Sequence, residues 1–451
     1  MTQPTPSPLL EGRILGTLLR LALPNVFAMV TTVAVGIAEI SYIGILGTEP
    51  LAAMALVFPF VMLTQMMSSG AMGGAVSSAV SRALGAGDIE RAQALALHAA
   101  VIGSVAGLIY SIVFLTFGPL IYEFLGGRGR VLTEATRYSN VFFLFGAILI
   151  WLNNSLLSVV RGTGNMVLPS ATIFIVSIIQ IAAGGVLGLG IGSFPGFGMA
   201  GVALGQVVAT FAGVTFAAWF LLTGRGRLTL RFRGIPFRAE MFSDILKVGA
   251  LACLSPLQAV LTVLIFTALV ARFGVNTLAG YGIGARLEFL LIPIAFGVGI
   301  AAVPMVGMAI GANQVARARR VAWTAGAVSG GALGVVGITF ALAPDLWASL
   351  FTKDAAVLAE TRRYLQLAGP GFGFLGMGLS LYFASQGAGK VLGPVMASTL
   401  RLMLVAAGGA YLVHVGAGAS ALFVLVGLSM AVYGLATVTA IFVTPWGRPA
   451  R

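Results

Sequence analysis

The sequence predicts an all-α polytopic membrane protein with twelve transmembrane helices in two six-helix lobes. Three observations support this fold class: an apolar composition, a series of long apolar runs, and a repeat that divides the chain near its middle. Of the 451 residues, 59% are hydrophobic and 9% are charged, whereas roughly a quarter of the residues in an average soluble domain are charged. A soluble core of this length would need far more polar surface to cover it.

Twelve apolar runs are long enough to cross a bilayer as helices. About 20 apolar residues span the hydrocarbon core, and a helix satisfies its own backbone hydrogen bonds in lipid. The glycine-rich stretch GGVLGLGIGSFPGFGMAG blurs the limits of the fifth and sixth runs. The predicted limits are 14–46, 51–80, 93–118, 134–160, 166–192, 199–223, 241–272, 277–310, 316–343, 358–385, 391–414 and 418–443.

The distribution of Lys and Arg predicts that both termini face the cytoplasm. In that orientation 17 of the 26 basic residues lie on the cytoplasmic side, seven lie on the other side, and Arg286 and Arg401 lie within spans. An excess of Lys and Arg in cytoplasmic loops is usual in membrane proteins. The N-terminal stretch MTQPTPSPLLEGR is polar and proline-rich, so we interpret it as a short disordered cytosolic tail rather than a signal peptide.

Three sequence echoes indicate that the chain consists of two similar halves. The echoes are RGTGNMVLP with QGAGKVLGP, LGAGDIERA with IGANQVARA, and GTEPLAA with GVNTLAG, at lags of 225, 226 and 227 residues. Because each half has an even number of spans, the halves have parallel topology and are expected to be related by a pseudo-two-fold axis along the membrane normal. We predict lobes at 1–223 and 241–451, joined by a basic cytoplasmic linker at 224–240.

The composition excludes several classes of function. The net charge is +13, but Lys and Arg are scattered between apolar runs, so we expect no nucleic-acid partner. The single cysteine, Cys253, allows neither a disulfide framework nor a cysteine metal site. An intramembrane enzyme needs a nucleophile with a base, a carboxylate pair or a metal cluster, and the sequence supplies none of these. We therefore expect no catalytic residue, no metal and no cofactor.

Glu39 is an isolated acid within the first span. A charged acid at the centre of a spanning helix costs about 3 kcal/mol on insertion scales, so such acids usually face a bundle interior or a wet cavity. There it could take up a proton on one side of the membrane and release it on the other. Alternatively, Glu39 lies roughly 10 Å of helix from the polar break after the span and simply reaches the interface.

The second acid within the spans is Glu288, which lies two residues from Arg286. Residues at i and i+2 point to different faces of a helix, so these two do not form a pair. Both could belong to a structural polar lock in the C-terminal lobe, or Glu288 could take part in coupling. Arg401 needs an acid or a carbonyl group as a neighbour, which the sequence does not identify.

Pro24 lies in the same predicted helix as Glu39 and removes one backbone hydrogen bond, so it permits a bend there. Protonation of Glu39 could therefore be coupled to bending at Pro24, which makes Pro24 a candidate hinge. The alternative is that proline is simply common in membrane helices.

Aromatic rings and methionines are the side chains that organic cations prefer. We expect most of the candidates to be packing or lipid contacts and a minority to line a substrate cleft. The candidates are Phe58, Met62, Met66, Phe142, Trp151, Phe266, Phe289 and Tyr382.

Five motifs, taken in order and spacing, resemble the multidrug and toxic compound extrusion (MATE) exporters over nearly the whole chain. They are LALPN, IGILGTEPLAA, SRALGAGDIERA, RGTGN with a following proline, and LAGYGIGARLEFLLIPIAFGVGIAAVPMVGMAIGA. The resemblance implies export of organic cations from bacteria across the inner membrane, driven by inward flow of protons or sodium ions. It also implies two six-helix lobes around a central cleft. We expect the protein to act as a monomer in contact with membrane lipid.

The resemblance also assigns a role to Glu39, because many relatives carry an acid there, usually Asp, in the cation site of the N-terminal lobe. Other positions of that site correspond to Asn154, Gln180 and Gln206. Neutral amides between helices often merely bond to each other, but an amide carbonyl can also accept the proton of a neutral Glu39. Two departures stand out: Gly184 replaces a second acid of many relatives, and Gln258 replaces an acid found in one branch.

The choice of coupling ion follows from the number of acids. A sodium ion needs several oxygen ligands, preferably with more than one negative charge nearby. The candidate site offers one acid, which favours protons over sodium. A lipid-linked oligosaccharide flippase of the same superfamily remains the alternative function. Such a protein should line its cleft with several basic residues, and away from the span ends this chain offers Arg286 and Arg401.

Overall fold

The computed structural model describes residues 8–230 and 236–447. The first seven residues of the predicted tail and residues 231–235 of the predicted linker lie outside the described part. Within it, twelve helices are long and apolar enough to cross a membrane, which confirms the predicted number. We number these helices α1 Ile14–Leu46, α2 Thr48–Gly85, α3 Ile89–Phe124, α4 Gly129–Gly162, α5 Val167–Leu189, α6 Met199–Leu222, α7 Ala239–Ala271, α8 Val275–Gly311, α9 Val315–Leu342, α10 Ala355–Gly387, α11 Leu392–His414 and α12 Ala419–Val443.

Several helices extend beyond the predicted apolar runs, because polar caps carry the helical backbone past the apolar residues. At the start of α3, the Asp88 carboxylate accepts a hydrogen bond from the Arg91 backbone amide at 2.8 Å, so this helix begins four residues before its predicted limit. The structure also departs from a purely helical fold between α5 and α6. There, Gly190–Ile191 pairs antiparallel with Phe194–Pro195 in a short hairpin.

Two short helices, three π-helical segments and a 3₁₀ turn at Gly369–Gly371 complete the helical elements. The short helices are Pro8–Glu11 and Asp345–Ala348. The π-helical segments are Met66–Met72 in α2, Phe142–Gly146 in α4 and Leu404–Gly408 in α11. π-Helical turns are rare and often lie at functional sites, because the extra residue in the turn redirects the side chains that follow it.

The described chain divides into two compact units whose limits fall inside helices. One unit comprises residues 27–249, and the other comprises residues 1–26 together with 250–451. The predicted lobes are 1–223 and 241–451, whereas one unit extends to Gly249 and the other includes the residues up to Val26. The limit in α1 lies between Val26 and Phe27, and the limit in α7 lies between Gly249 and Ala250.

Polar contacts explain why the start of α7 belongs to the unit of residues 27–249 and the start of α1 belongs to the other unit. In the unit of residues 27–249, Asp244 at the start of α7 forms ion pairs with Arg82 at 2.9 Å and with Arg91 at 3.1 Å. In the other unit, the Arg317 guanidinium donates to the carbonyl oxygens of Leu9 at 3.1 Å and Gly12 at 2.6 Å. These contacts attach each segment to a unit formed mainly by the other half of the sequence.

Helices α5 and α6 pack closely through glycines. A Cβ atom on Gly205 would lie 2.4 Å from the Cα of Gly184, and one on Gly201 would lie 2.0 Å from the carbonyl oxygen of Leu187. The close approach of the two backbones requires glycine at these positions. It also brings the backbone at Gln206, which follows Gly205, to the level of Gly184, and Gly184 lies about one helical turn from Gln180 on α5.

Candidate coupling site

The structure places Glu39 of α1 in contact with Gln180 of α5. The Gln180 amide nitrogen donates a hydrogen bond to Glu39 Oε1 at 2.8 Å. The Glu39 side chain is 6% exposed, so it lies in the interior of its unit and does not reach outward from the span. Because an amide NH₂ group can only donate, this arrangement corresponds to the carboxylate oxygen acting as acceptor.

Tyr138 of α4 is a polar neighbour of Glu39 that the sequence reasoning did not identify. The two side chains are close enough to interact electrostatically. The Tyr138 side chain is fully buried, and its hydroxyl has no hydrogen-bond partner among the described residues. A buried phenol without a partner is costly. A buried hydroxyl without a hydrogen-bond partner among the described residues therefore lies within electrostatic range of Glu39.

Asn154 of α4 lies against a π-helical segment and not against Glu39. Its amide nitrogen donates to the Ser68 hydroxyl at 2.8 Å, and Ser68 belongs to Met66–Met72 of α2. The contact therefore links α4 to α2, while the Glu39–Gln180 contact links α1 to α5. The sequence predicted that these amides share one lobe, and the structure distributes them over two polar contacts.

Two further amides of the unit of residues 27–249 have unsatisfied carbonyl groups. Gln206 Oε1 and Asn153 Oδ1 are buried and have no hydrogen-bond partner in the described part of the chain. A Cβ atom on Gly213 would lie 3.0 Å from Asn153 Oδ1, so α6 passes directly over this group. Buried carbonyl oxygens without partners usually bond to water. The unit that contains Glu39 thus also holds two buried acceptors without partners among the described residues.

Glu288 of α8 has a partner that is distant in sequence. Arg401 of α11 approaches Glu288 Oε1 at 3.7 Å, and the Tyr364 hydroxyl donates to Glu288 Oε2 at 3.4 Å. The Arg401 and Glu288 side chains are 14% and 13% exposed. The Arg401 guanidinium also lies 6.0 Å from the ring centroid of Tyr433. This cluster of an acid, a cation and two phenols belongs to the unit that contains residues 250–451.

Arg286 does not pair with Glu288, in agreement with the i,i+2 argument. It is exposed, and its guanidinium lies 5.4 Å from the ring centroid of Phe351. Gln258 of α7, which stands where one branch of relatives has an acid, donates to the Thr399 hydroxyl at 2.7 Å. Arg286 and Gln258 therefore form separate contacts, neither of which involves Glu288.

Four of the eight candidate cleft residues present surface on their own unit. Phe58 and Met62 of α2 are 37% and 40% exposed, Met66 one turn further is partly exposed, and Phe289 of α8 is 43% exposed. Phe58, Met62 and Met66 follow at intervals of four residues, so they lie along one face of α2.

The other four candidates are packed inside the units. Phe142 and Phe266 each belong to a cluster of buried apolar side chains, and Trp151 is 2% exposed. The Tyr382 hydroxyl donates to the carbonyl oxygen of Ala252 at 3.0 Å. In this structure these four side chains contribute to packing.

Pro24 lies within α1, which continues as one helix from Ile14 to Leu46. The limit between the two compact units falls two residues after Pro24. Among the described residues, no group of three or more His, Cys, Asp or Glu side chains could hold a metal ion. The candidate site is therefore a carboxyl group with amide and hydroxyl neighbours, on a helix that carries a proline where the two units divide.

Comparison with known proteins gives matches over nearly the whole chain. The MatE family model matches residues 24–186 and 252–412. The chain is 23% identical to the FAD transporter of Shewanella oneidensis over 400 residues, which cover 88% of this chain and 87% of the relative. It is 28% identical to the multidrug export protein MepA of Staphylococcus aureus over 402 residues, which cover 85% of this chain and 84% of the relative.

Solved structures with the same fold include two transporters of one superfamily. A MOP superfamily transporter from Pyrococcus furiosus superposes with a TM-score of 0.89 at 22% identity, covering 98% of both chains. An outward-facing multidrug resistance transporter of the MATE family superposes with a TM-score of 0.88, also at 22% identity and with 98% of both chains covered. These similarities confirm the predicted fold class.

Proposed function

This chain belongs to the MATE family of membrane transporters, and on that premise we propose that it exports organic cations by antiport with protons. Members of the family are transporters and not enzymes. The observation that carries the proposal is the buried Glu39 carboxyl group held by Gln180 at 2.8 Å. A charged acid inside a membrane protein is costly to retain and usually serves an ion pathway.

Protonation of Glu39 changes which hydrogen bonds its carboxyl group can form with its neighbours. The ionised carboxylate accepts from the Gln180 NH₂ group, whereas the protonated acid becomes a donor and needs an acceptor. The Gln180 carbonyl oxygen can become that acceptor after rotation of the amide, since Gln180 already contacts Glu39. The contact between α1 and α5 therefore has two arrangements, one for each protonation state.

We propose that α1 transmits this change by bending at Pro24. Proline removes one hydrogen bond from the helix, so a bend there costs less than elsewhere in α1. The limit between the compact units lies two residues further along the same helix. A proton at Glu39 can shift a conformational equilibrium only by favouring one arrangement over the other. The two hydrogen-bond patterns of the Glu39 carboxyl group supply that difference.

The donors and acceptors of the site favour protons as the coupling ion. A sodium ion needs several oxygen ligands and is held best by more than one negative charge. Gly184, where many relatives carry a second acid, packs against Gly205 of α6. The site therefore contains one carboxyl group, and a single carboxyl group is enough to bind a proton. We propose a location in the bacterial inner membrane with both termini cytoplasmic, so that protons enter as substrate leaves.

The proposed substrate class follows from the surface of α2. Phe58, Met62 and Met66 form a line of aromatic and thioether groups with exposed surface. Aromatic faces attract cations, and methionine adapts its shape to different ligands. A second candidate substrate is FAD, an anionic dinucleotide, because one relative of this chain is an FAD transporter. Such a substrate would reverse the charge preference.

Transport by the purified protein in liposomes tests the proposal. We expect a pH gradient alone to drive export of a cationic aromatic dye and a sodium gradient alone to drive little. An anionic dye of similar size and FAD should compete weakly. Protein-free liposomes and a protonophore are the controls. Export driven equally by sodium would contradict proton coupling, and stronger competition by FAD than by a second cation would contradict the substrate class.

A further inference from the structure

A cavity of about 410 Å³ lies where α4 and α6 end, away from the candidate coupling site. The loop between α4 and α5 forms one wall, and the segment that follows α6 forms the other. Because each helix crosses the membrane once, both segments lie on the side of the N-terminus. Neither Glu39 nor Gln180 lines this cavity.

The segment after α6 is folded into a closed loop. The Leu230 backbone amide donates to the carbonyl oxygen of Leu221 at 2.9 Å. Leu228 and Leu230 are 1% and 5% exposed, so both side chains anchor the loop in the unit. The wall that carries Arg225 and Arg227 is therefore held in place by the burial of Leu228 and Leu230 and by the hydrogen bond to Leu221.

The polar lining of the cavity carries positive charge. Arg225 and Arg227 line it, together with Thr163 and Asn165 of the loop between α4 and α5. Asn165 Oδ1 accepts from the Leu168 backbone amide at 3.1 Å, which leaves the Asn165 NH₂ group as a donor. Among the described residues that line the cavity, none is acidic.

Two further features strengthen the preference for an anion. The Arg225 guanidinium lies 4.4 Å from the ring centroid of Trp219, which restricts its position. Arg161 precedes the lining residue Thr163 by two positions and is 1% exposed. The three nitrogens of its guanidinium have no hydrogen-bond partner within residues 8–230 and 236–447. This uncompensated buried cation adds positive charge to the end of α4, where Val160 and Thr163 line the cavity.

The remaining lining is apolar, as expected at the surface of a bilayer. Val160, Phe220, Leu221 and Leu228 complete the wall. Tryptophan at the end of a span, such as Trp219 in α6, marks the level of lipid headgroups, and basic pockets between spanning helices bind anionic headgroups. Paired arginines recognise phosphate through several parallel hydrogen bonds.

We propose that this cavity binds the phosphate group of an amphipathic phosphate ester. An anionic phospholipid headgroup and a soluble phosphate ester are the two sources of this chemistry. The arginines hold the phosphate, the Asn165 amide donates to it, and the apolar wall contacts the glycerol and acyl carbons. The site is separate from Glu39, so the proposal does not depend on the coupling mechanism.

Binding to delipidated full-length protein in detergent tests the proposal. The ligands are phosphatidylglycerol, phosphatidylcholine with the same acyl chains, glycerol 3-phosphate and inorganic phosphate. Native mass spectrometry counts lipid adducts, and thermal unfolding reports binding of the soluble anions. The variants are Arg225→Gln with Arg227→Gln, and Arg225→Lys with Arg227→Lys. Arg13→Gln with Arg320→Gln is a control that removes two other exposed charges.

We expect phosphatidylglycerol to bind in preference to phosphatidylcholine, and the glutamine pair to weaken this binding at least about tenfold. The lysine pair should retain part of it, because charge remains while the planar geometry is lost. The control pair should bind as the wild type does. Competition by glycerol 3-phosphate or inorganic phosphate at similar concentration would identify a soluble source, and its absence would identify the lipid.

Equal binding of the two lipids together with no effect of the soluble anions would overturn the proposal. So would an equal loss of binding in the glutamine pair and the control pair, because it would show a general effect of charge. If the glutamine pair does not fold, the lysine pair and the lipid preference of the wild type decide the matter. Lysine variants with unchanged binding and no lipid preference count against the site.

Discussion

Glu39→Gln is expected to reduce pH-gradient-driven export to the level of protein-free liposomes. Glutamine has nearly the same shape as the protonated acid, so the packing around the 6% exposed side chain should be kept. The variant amide cannot release a proton, so the contact with Gln180 loses one of its two arrangements. The variant should still fold and bind the cationic dye, with a changed affinity. Transport is measured in proteoliposomes, and binding is measured by fluorescence.

Two further variants separate the role of the carboxyl group from its position. Glu39→Asp should keep part of the export, because it retains the acid at a shorter reach. Gln180→Leu should keep the acid but lose the 2.8 Å hydrogen bond, so its export should fall while the protein still folds. Normal pH-driven export by well-folded Glu39→Gln would refute the assignment, and Glu288 would then become the candidate coupling acid.

Arg401→Met is expected to destabilise the protein more than removal of both charges does. It leaves the Glu288 carboxylate, 13% exposed, without the cation that approaches it at 3.7 Å. Breaking one side of a buried ion pair typically costs about 3–5 kcal/mol. Because both side chains keep some exposure, we expect the lower end of that range. Thermal unfolding in detergent measures the effect.

The double variant Arg401→Met with Glu288→Gln provides the matched control. It removes the uncompensated charge while Tyr364 can still bond to the amide, so it should recover most of the lost stability. If Glu288 acts only as a structural lock, Glu288→Gln alone should retain pH-driven export. Loss of export in a stable Glu288→Gln protein would instead assign Glu288 to coupling.

The fold could be predicted from the sequence because its signals are local. Each span is a continuous apolar run, and the number of runs agrees with the twelve helices. The helix ends were less predictable, because residues such as Asp88 extend helices into polar sequence. The hairpin after α5 depends on backbone angles at Gly190 and Gly192, where φ is 84° and 59°. Composition alone does not reveal such angles.

The candidate site could be predicted only in part, because its contacts join distant residues. Glu39 and Gln180 are separated by 141 positions. Only the resemblance to a family, and no local pattern, predicted that they belong to one site. Tyr138 gave no signal, since a tyrosine in a span is ordinarily a packing residue. The pairing of Glu288 with Arg401 depends on how α8 meets α11, which no local pattern encodes.

Measurement of proton movement driven by substrate tests the central claim most directly. Proteoliposomes containing a pH-sensitive dye start without pH or sodium gradients, and a gradient of the organic cation is then imposed. The account predicts that protons move opposite to the cation in the wild type, and that Glu39→Gln shows no proton movement. Cation transport by the wild type without proton movement, or equal proton movement in wild type and Glu39→Gln, would contradict the claim that Glu39 couples export to protons.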